Sequence, residues 1–449
     1  MVHGMRRGMG LLDGIGRTRG EKIPGPPLAV LASRVPHPSL LTPDPLTTSR
    51  GSPQAAVLAS FLGWTLDAFD FFLVVFTLTA IGKEFAVSDA TMAATLSTTL
   101  AFRPVGAFIF GLMADRYGRR LPLMLSLVFF SLMEVLSGLA PSYTAFLIFR
   151  ALFGIGMGGE WGVGASLAME GAPRKWRGVL SGILQSGYSI GYLLAAVAAR
   201  TILPTLGWRW MFWLGALPAL LALYIRTKVP ESEAWREHRV GSTGEMVRAV
   251  ASHAKGFAYL VVLMTFMMFL SHGTQDLYPD FLKEIHRAGD ATRANMVIIY
   301  NIGAVVGAII FGQLSQRIGR RYSMICALAL SLLVIPLWAF GATLGALTIG
   351  AFLMQAGVQG AWGIIPVHLN ELAPDAVRGL MPGLAYQLGI LVASPVNSIQ
   401  HALRDRIGYS WALAGFEIVV MLVLTVVLLL GREEHGRAFH AGDLLIEKE

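Results

Sequence analysis

Asp67 and Asp70 are the only charged residues between Arg50 and Lys83, in the run Gly63-Trp-Thr-Leu-Asp67-Ala-Phe-Asp70-Phe-Phe72. On a helix a spacing of three sets both carboxylates on one face. A lone carboxylate in hydrocarbon costs about 3 kcal/mol even on a lenient insertion scale. Two that are neighbours cannot both ionise cheaply, so one should hold an exchangeable proton. A second reading stays open, in which one aspartate is permanently paired with an arginine of the same half. Glu160, in Gly158-Gly-Glu160-Trp-Gly-Val-Gly164, is a third acid in apolar surroundings. It is expected to take a proton or to pair with a cation at a helix interface.

Arg103 is the one charge between Asp89 and Asp115, and twelve residues of helix put it roughly 18 Å inward from Asp115, near mid-membrane. Its guanidinium fork matches a carboxylate with two parallel hydrogen bonds, so Arg103 is the candidate anchor for an acidic substrate. The alternative is a pair with Asp67, Asp70 or Glu134. His272, Gln275 and Asp276 share a helical face. A histidine exchanges protons near neutral pH and donates to carboxylates, which suits substrate contact or a gate. As metal ligands, His272 and Asp276 lack a third donor, and no metal is expected. Gln355 and Gln359, four apart, with Tyr386, Gln387 and Asn397, offer further hydrogen-bond donors to a carboxylate or hydroxyl. Gln185, Tyr188 and Tyr192 present a similar face.

Catalytic constellations are missing: the sequence has no phosphate-binding glycine loop, no His-Glu-x-x-His, no paired cysteines and no nucleophile elbow. An enzyme, an ATP-driven pump and a bound organic cofactor are therefore not expected. The glycine run from Gly154 to Gly164 suits close helix packing.

These side chains must be positioned by membrane helices. Apolar residues make up 54% of the 449 and charged residues 14%, far below the charge of a soluble chain. Twelve spans are predicted, near 57–80, 91–113, 121–140, 144–168, 178–200, 208–226, 255–280, 293–315, 322–341, 344–369, 379–401 and 410–430. A shift of 201 residues lays Gly111-Leu-Met-Ala-Asp-Arg-Tyr-Gly-Arg-Arg120 over Gly312-Gln-Leu-Ser-Gln-Arg-Ile-Gly-Arg-Arg321, and Glu170 to Gly178 over Glu371 to Gly379. So long a period fits two copies of a multi-helix unit, hence an all-α membrane protein with a central site between two six-helix bundles. The expected organisation is a disordered tail over 1–53, bundles over 54–226 and 255–430, a polar connection over 227–254 with a short amphipathic surface helix, and a tail over 431–449. Lys and Arg crowd alternate loops and both tails, which predicts cytoplasmic termini. The net charge of +8 thus reports orientation and does not point to nucleic acid. Cys326 sits in an apolar run and is expected in the core.

The loop Asp115-Arg116-Tyr117-Gly118-Arg119-Arg120, repeated after the eighth span, resembles the signature of the major facilitator superfamily. Gly63 to Phe72 and Gly158 to Gly164 are similar to the sialate:proton symporter branch. Ser271-His272-Gly273-Thr274-Gln275-Asp276 resembles part of the Jen-type monocarboxylate permease signature, departing from it at Met268 and Asp280. The resemblance implies a major facilitator fold of twelve helices, a monomer in the inner membrane, and proton-coupled symport of a small organic anion by alternating access. Lactate or pyruvate would be the substrate, with sialic acid, aromatic acids and dicarboxylates as alternatives. The proton would be the coupling ion, and the resemblance favours Asp70 as its carrier. The motif residues Asp115, Arg116, Arg119 and Arg120, with Arg317, Arg320 and Arg321 in the second copy, would latch the bundles together without touching substrate. Gln316 in place of the aspartate should weaken the second latch. A sensor on a carrier fold would need an output module that the tails do not suggest.

Overall fold

The computed structural model describes residues 53–239, 242–441 and 443, so the tail expected over 1–53 lies, apart from Pro53, outside the described residues. Eleven helices among them are long and apolar enough to cross a membrane. The first six crossings are Pro53–Phe85, Asp89–Tyr117, Arg120–Gly138, Tyr143–Gly171, Arg177–Thr201 and the pair Trp208–Leu214 with Leu217–Lys228. The last six run through Ala254–Gln275, extended by Tyr278–Glu284; Asp290–Ile318; Arg320–Phe340; Leu344–Trp362, extended by Ile365–Leu372; Met381–Ala393 with Val396–Ile407; and Tyr409–Leu430.

The eleventh crossing, predicted as one helix over 379–401, is broken. Pro395 has no N–H to donate and its ring clashes with the preceding turn, so the helix stops at Ala393 and restarts at Val396. Each half is too short to span alone, and together they complete the twelve-helix fold. The polar connection also differs, holding two short helices, Glu233–Glu237 and Thr243–Ser252, instead of one. Ser242 starts the second by accepting the Glu245 N–H at 3.2 Å.

The repeat is visible in local geometry. Ser142 and Thr343, 201 residues apart, cap the fourth and tenth helices by accepting N–H groups of Ala145 and Ala346. Gly118 and Gly319 take φ of +100° and +90° at the sharp turns into the third and ninth helices, a conformation that a β-carbon would strain. Within each bundle the second helix packs on the fourth and the eighth on the tenth, while across the bundles the second meets the eleventh and the fifth meets the eighth. Gly111 and Gly312 permit those crossings. A β-carbon on Gly111 would lie 2.8 Å from the Leu380 backbone, and one on Gly312 would lie 2.5 Å from the Gly178 carbonyl.

Outer helix faces present leucine, isoleucine and valine, with Leu333 79% exposed, as hydrocarbon contact requires. Cys326, expected in the core, lies on this exterior. It shares an outward stripe with Tyr322 and Leu333 at helical spacing, and a thiol is apolar enough for lipid as well as for a core.

Candidate functional site

Charge is concentrated inside the first bundle. Asp67, Asp70, Glu134, Arg150 and Glu160 are fully buried, and Arg103 is 4% exposed. Glu134 on the third helix forms an ion pair with Arg150 on the fourth, backed by the Phe153 ring 4.0 Å from the guanidinium. Arg103 therefore does not have Glu134 as its partner. Neither aspartate is hydrogen-bonded: all four carboxylate oxygens of Asp67 and Asp70, both of Glu160, and Nε and Nη2 of Arg103 are buried without one. Asp67 and Glu160 lie within electrostatic reach of Arg103, and Asp70 within reach of the Glu134–Arg150 pair. Two acids thus share each arginine. One carboxyl in each set has no cation of its own, and Arg103 keeps donors free for an incoming anion.

An aromatic wall adjoins this centre. Tyr386 of the eleventh helix stacks on Trp161 at 4.2 Å, with Trp64 and Trp362 edge-on at 6.2 and 5.8 Å. Trp64 in turn stacks on Tyr188 at 5.7 Å, and Phe72 packs against Tyr188 and Tyr192. The indole N–H groups of Trp64, Trp161 and Trp362 are buried without acceptors, as are both polar atoms of Gln387 and Oε1 of Gln185. Sequence reasoning missed the tryptophans as site residues, although Trp161 and Trp362 are equivalent under the 201-residue shift.

The second bundle contributes mostly amides, already engaged with one another. Gln275 donates to Gln355 at 2.7 Å and Gln355 to Thr274 at 3.1 Å, while Gln359 reaches Ser271 at 3.4 Å. His272 Nδ1 lies 3.1 Å from Asp276, which also accepts from Asn397 at 3.1 Å. About a third of each of the His272 and Asp276 side chains is exposed, and the pair lies within electrostatic reach of the first bundle's centre, His272 of Arg103 and Asp276 of Tyr188. Glu417 on the twelfth helix is fully buried with both oxygens unpartnered, pressed against Gly273. An acid alone in an apolar run was a signal as plain as Asp67, and it was overlooked.

At the basic face the two bundles are joined. Asp115 accepts N–H groups of Gly379 at 2.7 Å and Leu380 at 3.0 Å in the other bundle, and pairs with Arg119 at 2.8 Å. Arg119 also grips Glu170 with two bonds, and Arg378 approaches the same carboxylate at 3.4 Å. The second copy repeats the scheme: Arg320 grips Glu371 twice, and Gln316 accepts the Gly178 N–H at 3.1 Å. Arg120 and Arg321 turn instead to carbonyls at the ends of the sixth and twelfth crossings, Arg226 and Leu428. Arg116 sits over Tyr117, and Arg317 is exposed. The connection after the sixth crossing joins in, because Glu231 accepts from the Arg119 and Arg120 backbones and Trp235 donates to the Asp115 carbonyl at 2.8 Å. Burial pushes the Glu231 carboxyl up against the pull of those N–H groups.

Twelve crossings in two related halves around a polar centre define a multi-pass membrane transporter. A family model described as "Sugar (and other) transporter" matches residues 55–256 and 258–433. The chain belongs to this family, within the major facilitator superfamily, and is not an enzyme. A carboxylic acid transporter protein homolog of Saccharomyces cerevisiae is 31% identical over 374 residues, which cover 77% of this chain and 60% of that relative's length. The sialic acid transporter NanX of Escherichia coli is 28% identical over 394 residues, covering 86% of this chain and 95% of the relative. A solved structure of the proton:xylose symporter XylE with bound 6-bromo-6-deoxy-D-glucose shares the fold, with a TM-score of 0.69, 20% identity and coverage of 88% and 99%.

Proposed function

We propose that this transporter is a proton-coupled symporter of small organic anions in the inner membrane, working as a monomer with its basic face and both termini in the cytoplasm. The observation that carries the reading is the free guanidinium edge of Arg103 beside the unpartnered acids Asp67 and Glu160. A carboxylate that takes Arg103 adds one negative charge to a buried set already rich in acids. A proton taken up with it restores the balance, and the loaded site can then be occluded without a bare charge in low dielectric. Asp67, Asp70 and Glu160 are the candidate proton carriers. His272, Gln275, Asp276, Gln355, Gln359, Tyr386 and Gln387 are candidate substrate contacts, and the basic-face motif is the latch. The carboxylic acid and sialic acid carriers among the relatives support an acidic substrate.

Lactate and pyruvate fit the charge pattern. The wall of Trp64, Trp161, Tyr188 and Tyr386 beside Arg103 favours a second reading, a flat conjugated acid lying on the rings. Uptake of labelled lactate, sialate and benzoate into proteoliposomes, with and without an imposed pH gradient, separates these outcomes. Asp70→Asn should abolish uphill accumulation while sparing exchange; uptake of every acid indifferent to the gradient refutes proton coupling.

A further inference from the structure

The segment after the last crossing folds back over the basic face. Glu433 accepts the backbone N–H groups of Arg320 and Arg321 at 3.1 and 3.0 Å. The Gly436 N–H donates to Glu371, and Arg437 donates to the carbonyls of Glu371 and Ala373 and to Asp375, all at 3.0 Å. These bonds anchor the segment to the second bundle. From Arg437 onward the chain reaches across to the first bundle. Arg177, which opens the fifth helix, donates to the Arg437 carbonyl at 2.7 Å and to Asp443 at 2.6 Å. Ala441 donates its N–H to Glu237 of the connecting segment at 2.9 Å.

Phe439 occupies the centre of this crossing. It is 1% exposed, and its ring lies 4.0 Å from the Arg177 guanidinium and 4.2 Å from that of Arg378. Arg177 and Arg378 are equivalent under the 201-residue shift, so each bundle offers its matching arginine to one face of a single ring. Asp443 then neutralises the arginine from the first bundle.

We propose that residues 433–441, with Asp443, are a strap that holds the basic face shut, with Phe439 as its pin between the two bundles. The inference rests on alternation between two states, as the proposed transport requires. When the bundles part at this face, Arg177 and Arg378 separate. One ring cannot then stay within about 6 Å of both cations. The strap must leave Arg177 at each opening, and it therefore biases the resting equilibrium toward the closed basic face and slows opening.

The test uses the full chain with Cys326→Ser and spin labels at Tyr117 and Ile318, the exposed basic-face ends of the second and eighth helices. Pulsed electron resonance in lipid nanodiscs then reads the distance between bundles. Phe439→Ala should raise the population with a parted basic face about ten-fold, and Phe439→Leu, which keeps the bulk and removes the ring, should shift it the same way. Phe439→Tyr should restore the parent distribution. If neither Ala nor Leu moves the distribution while Asp115→Asn does, the strap is refuted and alternation stands. If the parent and every variant, Asp115→Asn included, show one and the same single distance, alternation at this face is refuted as well.

Discussion

Asp115→Asn offers the sharpest test of how the basic face is held. Asp115 accepts two backbone N–H groups of the opposite bundle, at 2.7 and 3.0 Å, on its two oxygens. Asparagine keeps the shape but has one acceptor oxygen, and its amide N–H would face a backbone donor. One charge-assisted bond is lost and the other is weakened, which together cost about 2–3 kcal/mol. At about 1.4 kcal/mol per tenfold, the closed-to-open ratio at this face should fall roughly 30- to 150-fold. Arg119 retains both bonds to Glu170, so the first bundle stays folded. Gln316 is the built-in control, since its neutral amide accepts the equivalent Gly178 N–H at 3.1 Å and donates to the Arg174 carbonyl at 2.9 Å. Gln316→Ala removes both neutral bonds and should cost about 1–2 kcal/mol, roughly 5- to 30-fold. The spin-label distance between Tyr117 and Ile318 reports both ratios. An unchanged distribution for Asp115→Asn, or a larger shift for Gln316→Ala, would refute the reasoning.

Arg103→Lys keeps the positive charge but loses the planar fork, so KM for the transported acid should rise by about 10- to 100-fold in proteoliposome uptake; an unchanged KM removes Arg103 from the site. Glu134→Gln breaks the ion pair and leaves Arg150 only the unbonded Asp70 within reach, so it should cost about 1–3 kcal/mol, read as a fall in melting temperature, while Glu134→Leu with Arg150→Met should recover most of it. For Asp443, burial pushes the carboxyl up, but the Phe439 N–H and Arg177 outweigh it and hold the group below the ordinary carboxylate range. A depressed acid stabilises docking at pH above its ordinary value and loses that contribution as pH falls through the depressed one. A spin label at Ala441 should therefore stay immobile from pH 5 to 8 and loosen only below about pH 4; loosening near neutrality contradicts this.

The scaffold was legible because it is written twice. Gly111 and Gly312, Gly118 and Gly319, and Ser142 and Thr343 each do one geometric task at positions 201 apart, so the repeat that marked the two halves in the sequence is the same one that pairs their turns, caps and close crossings in the structure. The partners of the buried charges were not legible. Whether Arg150 meets Glu134 or Asp70 depends on how the third and fourth helices rotate about their axes, and residue type does not fix that angle. Hydropathy averaging hid the break at Pro395, although the proline itself was in view. Cys326 was misplaced for a related reason: an outward face in lipid is as apolar as an inward one, so composition cannot tell them apart. The strap was invisible because polar tail residues gain meaning only from the arginine pair that they bridge.

The same shift that maps the closures fails on the chemistry. Asp67, Asp70, Arg103, Glu134, Arg150 and Glu160 fall on Met268, Ser271, Ala304, Ile335, Ala351 and Ala361. In the other direction His272, Gln275 and Asp276 fall on Phe71, Val74 and Val75. The first bundle therefore carries the central arginines Arg103 and Arg150 with their acids, while the second faces it with amides, tyrosine, one histidine–aspartate pair and the unpartnered Glu417. This division has a mechanical consequence. Rocking the bundles need not pull apart any of the ion pairs inside the first bundle, because Glu134–Arg150 lies wholly within it. The ionic contacts that must open are at the basic face, where Asp115, Glu170, Arg378 and Arg177 meet across the seam. Under the proposed symport, anion and proton would be exchanged within a rigid half, and the fourth helix, which carries Arg150 and Glu160 in the core and Glu170 in the latch, is the element that joins that centre to the seam.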